Sequence, residues 1–307
     1  MIGWGFLAAA IAIVVWPFLT EAIRPRMRDR ERALAPGEFA DLPRGVTHYR
    51  FLGAPNGPLA VCVHGLTTPS FVWEPVAEKL GDMGFRVLVY DLYGRGYSDR
   101  PKGAQDAAFF CDQLDALLDE LHIDVPFTLL GYSMGGAIAT AYAARHPGRI
   151  RELVLIAPAG LGHDLGPVAD LAANHDKLGK WLALGFYPRA LRRATQADRA
   201  LPSAIPDMVD RQILETRWRG FAPAVLSSLR GIMSEDLEPA HTAIAEAGLP
   251  VLAIWGRQDE VIPISGLGKL AEWNRDARQE VIEQAGHALA YTHVDKVADV
   301  LGRLRKP

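Results

Sequence analysis

Gly131-Tyr132-Ser133-Met134-Gly135 has the spacing G-x-S-x-G, with Gly136 directly after it. An apolar, strand-like run (127–131, FTLLG) leads into it and a small-residue helical run (AIATAYAARH) leads out. A sharp strand-to-helix turn lifts a serine oxygen clear of a sheet. Flanking glycines let helix and strand approach closely, and the helix N-terminus favours developing negative charge. The chemistry this suits is nucleophilic attack by Ser133 on a carbonyl. A serine capping a Gly-rich helix would give the same string without chemistry. A serine hydroxyl is a poor nucleophile at neutral pH, so a base within hydrogen-bond reach and a third group to orient that base are required. The developing oxyanion needs two backbone donors, and one is expected to be the N–H of Met134, the residue after the nucleophile.

The elements that must position these groups are legible as alternation. Strand-like runs are expected at 47–53, 59–63, 86–90, 127–131, 151–157, 251–255 and 279–282. Helical patterns fall at 71–80, 105–121 and after Ser133, with a closing helix at about 289–304. Near-continuous apolar strands alternating with helices indicate an α/β fold, a mostly parallel, doubly wound sheet covered on both faces. The stretch 161–248 breaks the alternation. It is helical in character, with aromatics Trp181, Phe186, Tyr187, Trp218 and Phe221, and prolines that keep its helices short. It reads as an inserted helical cap, or more blandly as a long connection with extra helices. The domain organisation expected is therefore a core at 43–160 and 249–307, with the cap at 161–248 between them.

Residues 1–20 (MIGWGFLAAAIAIVVWPFLT) carry no charged side chain. About 20 apolar residues suffice to cross a bilayer core. Trp4 and Trp16 stand near the two ends, and Pro17 is expected to limit or kink the helix. Five arginines follow (Arg24, Arg26, Arg28, Arg30, Arg32), which by the positive-inside rule places that flank in the cytoplasm. A membrane anchor at 1–20 and a linker at 21–42 are expected, with anionic headgroups within reach of the arginines. A cleaved leader, which would leave the protein secreted or periplasmic, and a helix packed on the domain are the alternatives.

Composition excludes other classes. The 307 residues are 49% hydrophobic and 22% charged, which is ordinary for a globular protein and rules out disorder or a coiled coil. The formal net charge of -3 and the lack of a recurring basic tract speak against nucleic acid as a partner. Two cysteines, Cys62 and Cys111, cannot build a disulfide framework or the usual zinc patterns; Cys62 reads as a small residue of a buried strand and Cys111 as a helix-face residue, neither as a nucleophile.

Several motifs in order resemble the α/β-hydrolase fold family across residues 45–305. These are His64-Gly65 at a strand end, Asp91-Leu92-Tyr93-Gly94-Arg95-Gly96-Tyr97-Ser98 (similar to the family's D-x-x-G-x-G-x-S turn), the serine elbow, a late acid and a late histidine. The resemblance implies the triad order Ser, Asp or Glu, His. His287, in Gln284-Ala285-Gly286-His287-Ala288, is then the base. His293 reads as an ordinary histidine of the closing helix. Asp259, three residues beyond Gly256, looks like the family's acid, with Glu260 as runner-up. The second oxyanion donor is by resemblance the N–H of Leu66. His64, Asp91 and Arg95 read as holding loops rather than touching substrate.

Within the family the chain looks most like membrane-linked carboxylesterases and monoacylglycerol lipases. This implies cleavage of a hydrophobic acyl ester without metal or cofactor. Ser133 argues against the aspartate-nucleophile dehalogenases and epoxide hydrolases. C–C hydrolases of ring-cleavage products share S-M-G-G but usually carry Trp after the histidine, where Ala288 stands here. A perhydrolase, a thioesterase, a lactonase and a non-catalytic ligand receptor are the further alternatives.

Overall fold

The computed structural model describes residues 2–162 and 167–303. In chain order its helices are α1 (Ile2–Ala22), α2 (Asp29–Arg32), α3 (Glu74–Asp82), α4 (Ala107–Glu120) and α5 (Met134–Arg145). Next come α6 (Pro167–Asn174), α7 (Asp176–Gly185), α8 (Tyr187–Ala197), α9 (Met208–Glu215), α10 (Phe221–Arg230) and α11 (Glu238–Glu246). The last are α12 (Gly266–Trp273), α13 (Leu289–Thr292) and α14 (Val294–Leu301). The strands are β1 (Glu38–Leu42), β2 (Gly45–Gly53), β3 (Leu59–Val63), β4 (Arg86–Tyr90), β5 (Phe127–Tyr132), β6 (Ile150–Ile156), β7 (Val251–Gly256) and β8 (Arg278–Ile282).

These strands form one sheet in the order β1-β2-β4-β3-β5-β6-β7-β8. β1 pairs antiparallel with β2 and β2 with β4, while every pairing from β4/β3 to β7/β8 is parallel. The two-residue period of a strand explains the double covering. Val61 and Val63 join one apolar cluster with Leu114, Leu117 and Leu118 of α4. Ala60 and Cys62 face the other way, into a cluster with Val76 and Leu80 of α3 and Val297 of α14. Each such leucine, fully buried, contributes about 2 kcal/mol of hydrophobic stabilisation. Asp106 starts α4 by accepting the Phe109 N–H at 2.8 Å, a capping bond the sequence permits and the helix needs. This is the α/β architecture expected. Both cysteines are free and buried, and burial pushes both thiols well above their usual range.

Several boundaries differ. The segment 21–42, read as a linker, contains α2 and the edge strand β1. Only Ala40 and Leu42 of β1 are buried, so five residues offer too short an apolar alternation to recognise. The closing helix is broken at His293, whose φ/ψ of −126°/39° separates α13 from α14, and it ends at Leu301. α12 lies between β7 and β8, where no helix was expected. Pro17 does not end α1, which continues to Ala22. The 161–248 segment is helical throughout its regular elements, α6 to α11. Its residues 163–166 and the chain beyond Arg303 lie outside the described residues.

Candidate active site

Ser133 stands between β5 and α5 with φ 54° and ψ −122°, a conformation that costs a non-glycine residue of order 1–3 kcal/mol. Three backbone bonds hold the turn there. Ser133 N–H donates to Ile156 O at 3.0 Å, and Ser133 O accepts from Gly136 N–H at 2.8 Å and Ala159 N–H at 3.0 Å. The flanking glycines are there for space. A Cβ at Gly131 would lie 2.3 Å from Gly135 O, and one at Gly135 would lie 2.1 Å from Val63 O. The Ser133 side chain makes no helix-capping bond, so the capping explanation of the motif does not describe this turn.

Its hydroxyl lies instead 2.9 Å from His287 Nε2, and His287 Nδ1 lies 2.8 Å from Asp259 Oδ2. Asp259 Oδ1 accepts the N–H groups of Val261 at 2.8 Å and Ile262 at 2.7 Å. The carboxylate is thus fixed from both oxygens and buried. With Asp259 accepting at Nδ1, the neutral imidazole carries its proton there and leaves Nε2 as the acceptor facing Ser133. The loops carrying acid and base are joined by Gln258 N–H to Ala285 O at 2.8 Å. The left-handed residue in the histidine loop is Gln284 (φ 61°), not Gly286. His293 stands apart at the α13/α14 break, its Nδ1 bonded to Thr292 Oγ1 at 2.9 Å. Glu260 is exposed beside the buried Asp259.

Met134 is the first residue of α5, where helical N–H groups have no acceptor four residues back. Leu66 lies in the loop after β3. The preceding residue, Gly65, approaches Ser133 so closely that a Cβ there would lie 3.3 Å from Ser133 Cβ. Arg95 anchors this loop. The fully buried guanidinium donates to Leu66 O at 3.1 Å, Tyr93 O at 3.0 Å, Gln105 Oε1 at 2.6 Å and Ser228 Oγ of α10 at 2.8 Å. Burial lowers its pKa to about 9, which keeps it charged at neutral pH. Asp91 accepts from Ser70 N–H and His48 Nδ1 at 2.8 Å and from Tyr97 N–H at 2.9 Å. Burial alone would raise its pKa, but the His48 bond and charge outweigh that and hold the carboxyl well below its usual range. His64 donates from Nδ1 to Gly65 O at 2.8 Å and accepts Leu92 N–H at Nε2 at 2.9 Å. All three hold loops, as the sequence suggested.

Burial holds His64, and also His241 of α11, down at about 4. An unfolded histidine titrates near 6.5, so below that pH the unfolded chain binds protons the folded one refuses. Stability therefore falls as pH drops from about 6.5 towards 4, by about 2 kcal/mol for each group by pH 5. His48 works the other way. Burial lowers its pKa, but Asp91 more than compensates and the net shift is upward. Glu215 of α9, whose carboxyl burial raises to about 7, gains protons on folding over the same range and offsets part of this loss, so the check compares wild type with His241→Gln. The fall in urea midpoint from pH 7 to pH 5 is expected to be smaller in the variant, and an equal fall would contradict the assignment of His241 as neutral.

Tyr132 was missed. It is the variable residue of the elbow, and nothing in its type or spacing marks it. Its hydroxyl donates to His287 O at 2.9 Å and its ring stacks on the imidazole at a centroid distance of 5.4 Å. Tyr132→Phe keeps the stack and loses the bond. A net hydrogen bond of about 1 kcal/mol implies a turnover loss of up to about tenfold with little change in KM.

The helical insert sits over these loops. Gln212 of α9 donates to Thr67 Oγ1 at 2.9 Å, and Glu215 accepts Gly96 N–H at 2.9 Å. Burial pushes the Glu215 carboxyl up to about 7 despite the pull of Arg100. Arg211 pairs with Glu74 at 2.8 Å.

Residues 58–294 match the family profile described as the alpha/beta hydrolase fold. The chain belongs to the α/β-hydrolase fold family. It is 31% identical over 239 residues to the 2-hydroxymuconate semialdehyde hydrolase of Pseudomonas sp. (strain CF600), covering 75% of this chain and 79% of that one. The enol-lactonase of Burkholderia xenovorans LB400 superposes with a TM-score of 0.70 at 26% identity, over 86% of this chain and 98% of that chain. An esterase from Exiguobacterium antarcticum superposes with a TM-score of 0.73 at 22% identity, over 86% and 97% of the two chains, a likeness of fold alone. This α/β-hydrolase thus has esterase, lactonase and C–C hydrolase neighbours.

Proposed function

We propose that this α/β-hydrolase cleaves carboxylic esters through Ser133, His287 and Asp259. The observation that carries the reading is the continuous hydrogen-bond chain from Ser133 Oγ through both nitrogens of His287 to Asp259. In the proposed cycle His287 Nε2 takes the Ser133 proton as Oγ attacks the ester carbonyl. The oxyanion rests on the N–H groups of Met134 and Leu66. His287 returns the proton to the departing alcohol, leaving an acyl group on Ser133. Water deprotonated by His287 then releases the acid and restores Ser133. Asp259 stabilises the imidazolium and fixes its orientation.

A hydrophobic acyl ester, with monoacylglycerols as one class, suits the reading. The insert over the site carries Trp181, Phe186, Tyr187, Trp218 and Phe221, and α1 is apolar enough over Trp4–Ala22 to enter a membrane. In this reading α6–α11 form a cap, α1 attaches the protein to a membrane, and the arginines after it keep the catalytic part on the cytoplasmic side. A second reading, C–C hydrolysis of a ring-cleavage product, is favoured by the 31% identity to the 2-hydroxymuconate semialdehyde hydrolase. The test is hydrolysis of p-nitrophenyl esters from acetate to palmitate beside 2-hydroxymuconate semialdehyde. Turnover of the esters, with an optimum at longer acyl chains, is expected. Turnover of the semialdehyde with inert esters would replace the first reading by the second.

A further inference from the structure

One face of the C-terminal half of α1 packs on α7 and the loops beside it. Pro17 has no N–H, which leaves Ile13 O without its helical donor. The indole N–H of Trp181 in α7 supplies one at 3.1 Å. Trp16 lies edge-on to Phe186, with the Arg189 guanidinium over its ring at 5.2 Å. Gly185 makes room for this crossing, since a Cβ there would lie 3.1 Å from the Trp16 ring and 3.3 Å from Pro17. Further along, Glu21 accepts Gly220 N–H at 2.6 Å. The insert thus holds one face of α1 from residue 13 onward, where Pro17 and Glu21 are buried while Ile13, Val14 and Leu19 stay exposed on the other face, and 4–12 are exposed throughout.

That grip limits how far the helix can enter a bilayer. Residues 2–12 are 11 in number and span about 17 Å at 1.5 Å per residue, roughly half of a hydrocarbon core of about 30 Å. A full span from Trp4 to Ala22 would draw into hydrocarbon the charged residues docked beside it. Lys177 and Lys180 line the apolar groove formed with Ile13, Val14 and Phe18, where the acidic Asp176 is paired with Arg230 at 3.2 Å. Lys177, Lys180 and, on α8, Arg193 are exposed, and among the described residues none has an ion-pair partner. Charged side chains at membrane depth are costly, whereas at headgroup level these cations favour anionic lipid.

We infer that, with α1 docked on α7, the protein sits on one leaflet of an anionic bilayer: residues 2–12 enter that leaflet and the basic face of α7 and α8 meets its headgroups. This rests on the proposed membrane attachment. It brings the insert over Ser133, rather than the far side of the sheet, to the lipid surface from which an acyl ester would come.

The test uses the full-length chain with Gly5→Cys, labelled with a nitrobenzoxadiazole dye. A Cβ at position 5 would meet nothing within 4 Å beyond its own helix, and Cys62 and Cys111 are buried. The protein is floated with vesicles of phosphatidylcholine containing one third phosphatidylglycerol, and quenching by nitroxides at known depths is read. Strongest quenching by midplane nitroxides is expected. The triple variant K177E/K180E/R193E is expected to lower the fraction floated at least tenfold on these vesicles while leaving turnover of a soluble ester unchanged. Strongest quenching at the far headgroups would overturn the single-leaflet inference and leave attachment standing. Flotation of the triple variant equal to wild type would remove the basic face from it. Failure of the unmutated chain to float on any vesicle would remove the attachment reading and the inference together.

Discussion

Ser133→Ala is expected to lower turnover of a p-nitrophenyl ester by about 10⁵–10⁶, the scale of nucleophile removal in serine triads. What remains comes from the oxyanion donors and substrate binding, which the substitution leaves in place. The fold is expected to survive intact. The hydroxyl makes no capping bond, and the turn is held by backbone bonds to Ile156, Gly136 and Ala159 that alanine retains. The two explanations of the motif therefore diverge in one variant. A capping serine would lose about 1 kcal/mol of stability and no activity. A nucleophile loses its activity and leaves the urea midpoint within experimental scatter of wild type. Residual turnover within tenfold of wild type would reject Ser133 as the attacking group.

Asp259→Asn is expected to cost about 10⁴ in turnover through a tautomer rather than a lost contact. Oδ1 of Asp259 accepts two backbone N–H groups, from Val261 and Ile262. An asparagine must place its carbonyl oxygen there, because its NH₂ would face two donors. Its NH₂ is then forced into the Oδ2 position, 2.8 Å from His287 Nδ1. Nδ1 must accept, the ring proton moves to Nε2, and the nitrogen facing Ser133 can no longer take a proton. KM is expected to change little, since no binding surface is altered. The check is steady-state kinetics beside the ¹⁵N shifts of the His287 ring, which report the tautomer. A thousandfold or smaller loss with an unchanged tautomer would contradict the assignment of Asp259 as the orienting acid.

The sheet and the candidate triad were legible because both are written in short, local patterns. β3, β4, β5, β6 and β7 are near-continuous apolar runs, as strands buried on both faces tend to be. Ser133, Asp259 and His287 each stand in the loop just beyond the C-terminal end of a strand, β5, β7 and β8 in turn. Their pairwise meeting is set by 28 and 154 residues of separation that only the parallel sheet closes. What was not legible depends on partners remote in sequence. β1 is half polar and is a strand because β2 lies beside it. Tyr132 matters because the His287 loop folds over its hydroxyl. α1 runs through Pro17, and the carbonyl the proline leaves unpaired meets an indole 168 residues away. The break at His293 follows no glycine or proline, and nothing in the local sequence announced it.

The central claim, that Ser133 is an activated nucleophile, is tested most directly by covalent labelling. A fluorophosphonate reacts with a serine only where a base takes its proton and donors hold the phosphoryl oxygen. Intact mass after incubation at neutral pH is expected to show one adduct per chain, placed by peptide mapping at Ser133. The adduct is expected to be absent from Ser133→Ala and slowed by orders of magnitude in Asp259→Asn. An unmodified wild-type chain, or an adduct on a different serine that persists in Ser133→Ala, would contradict the account.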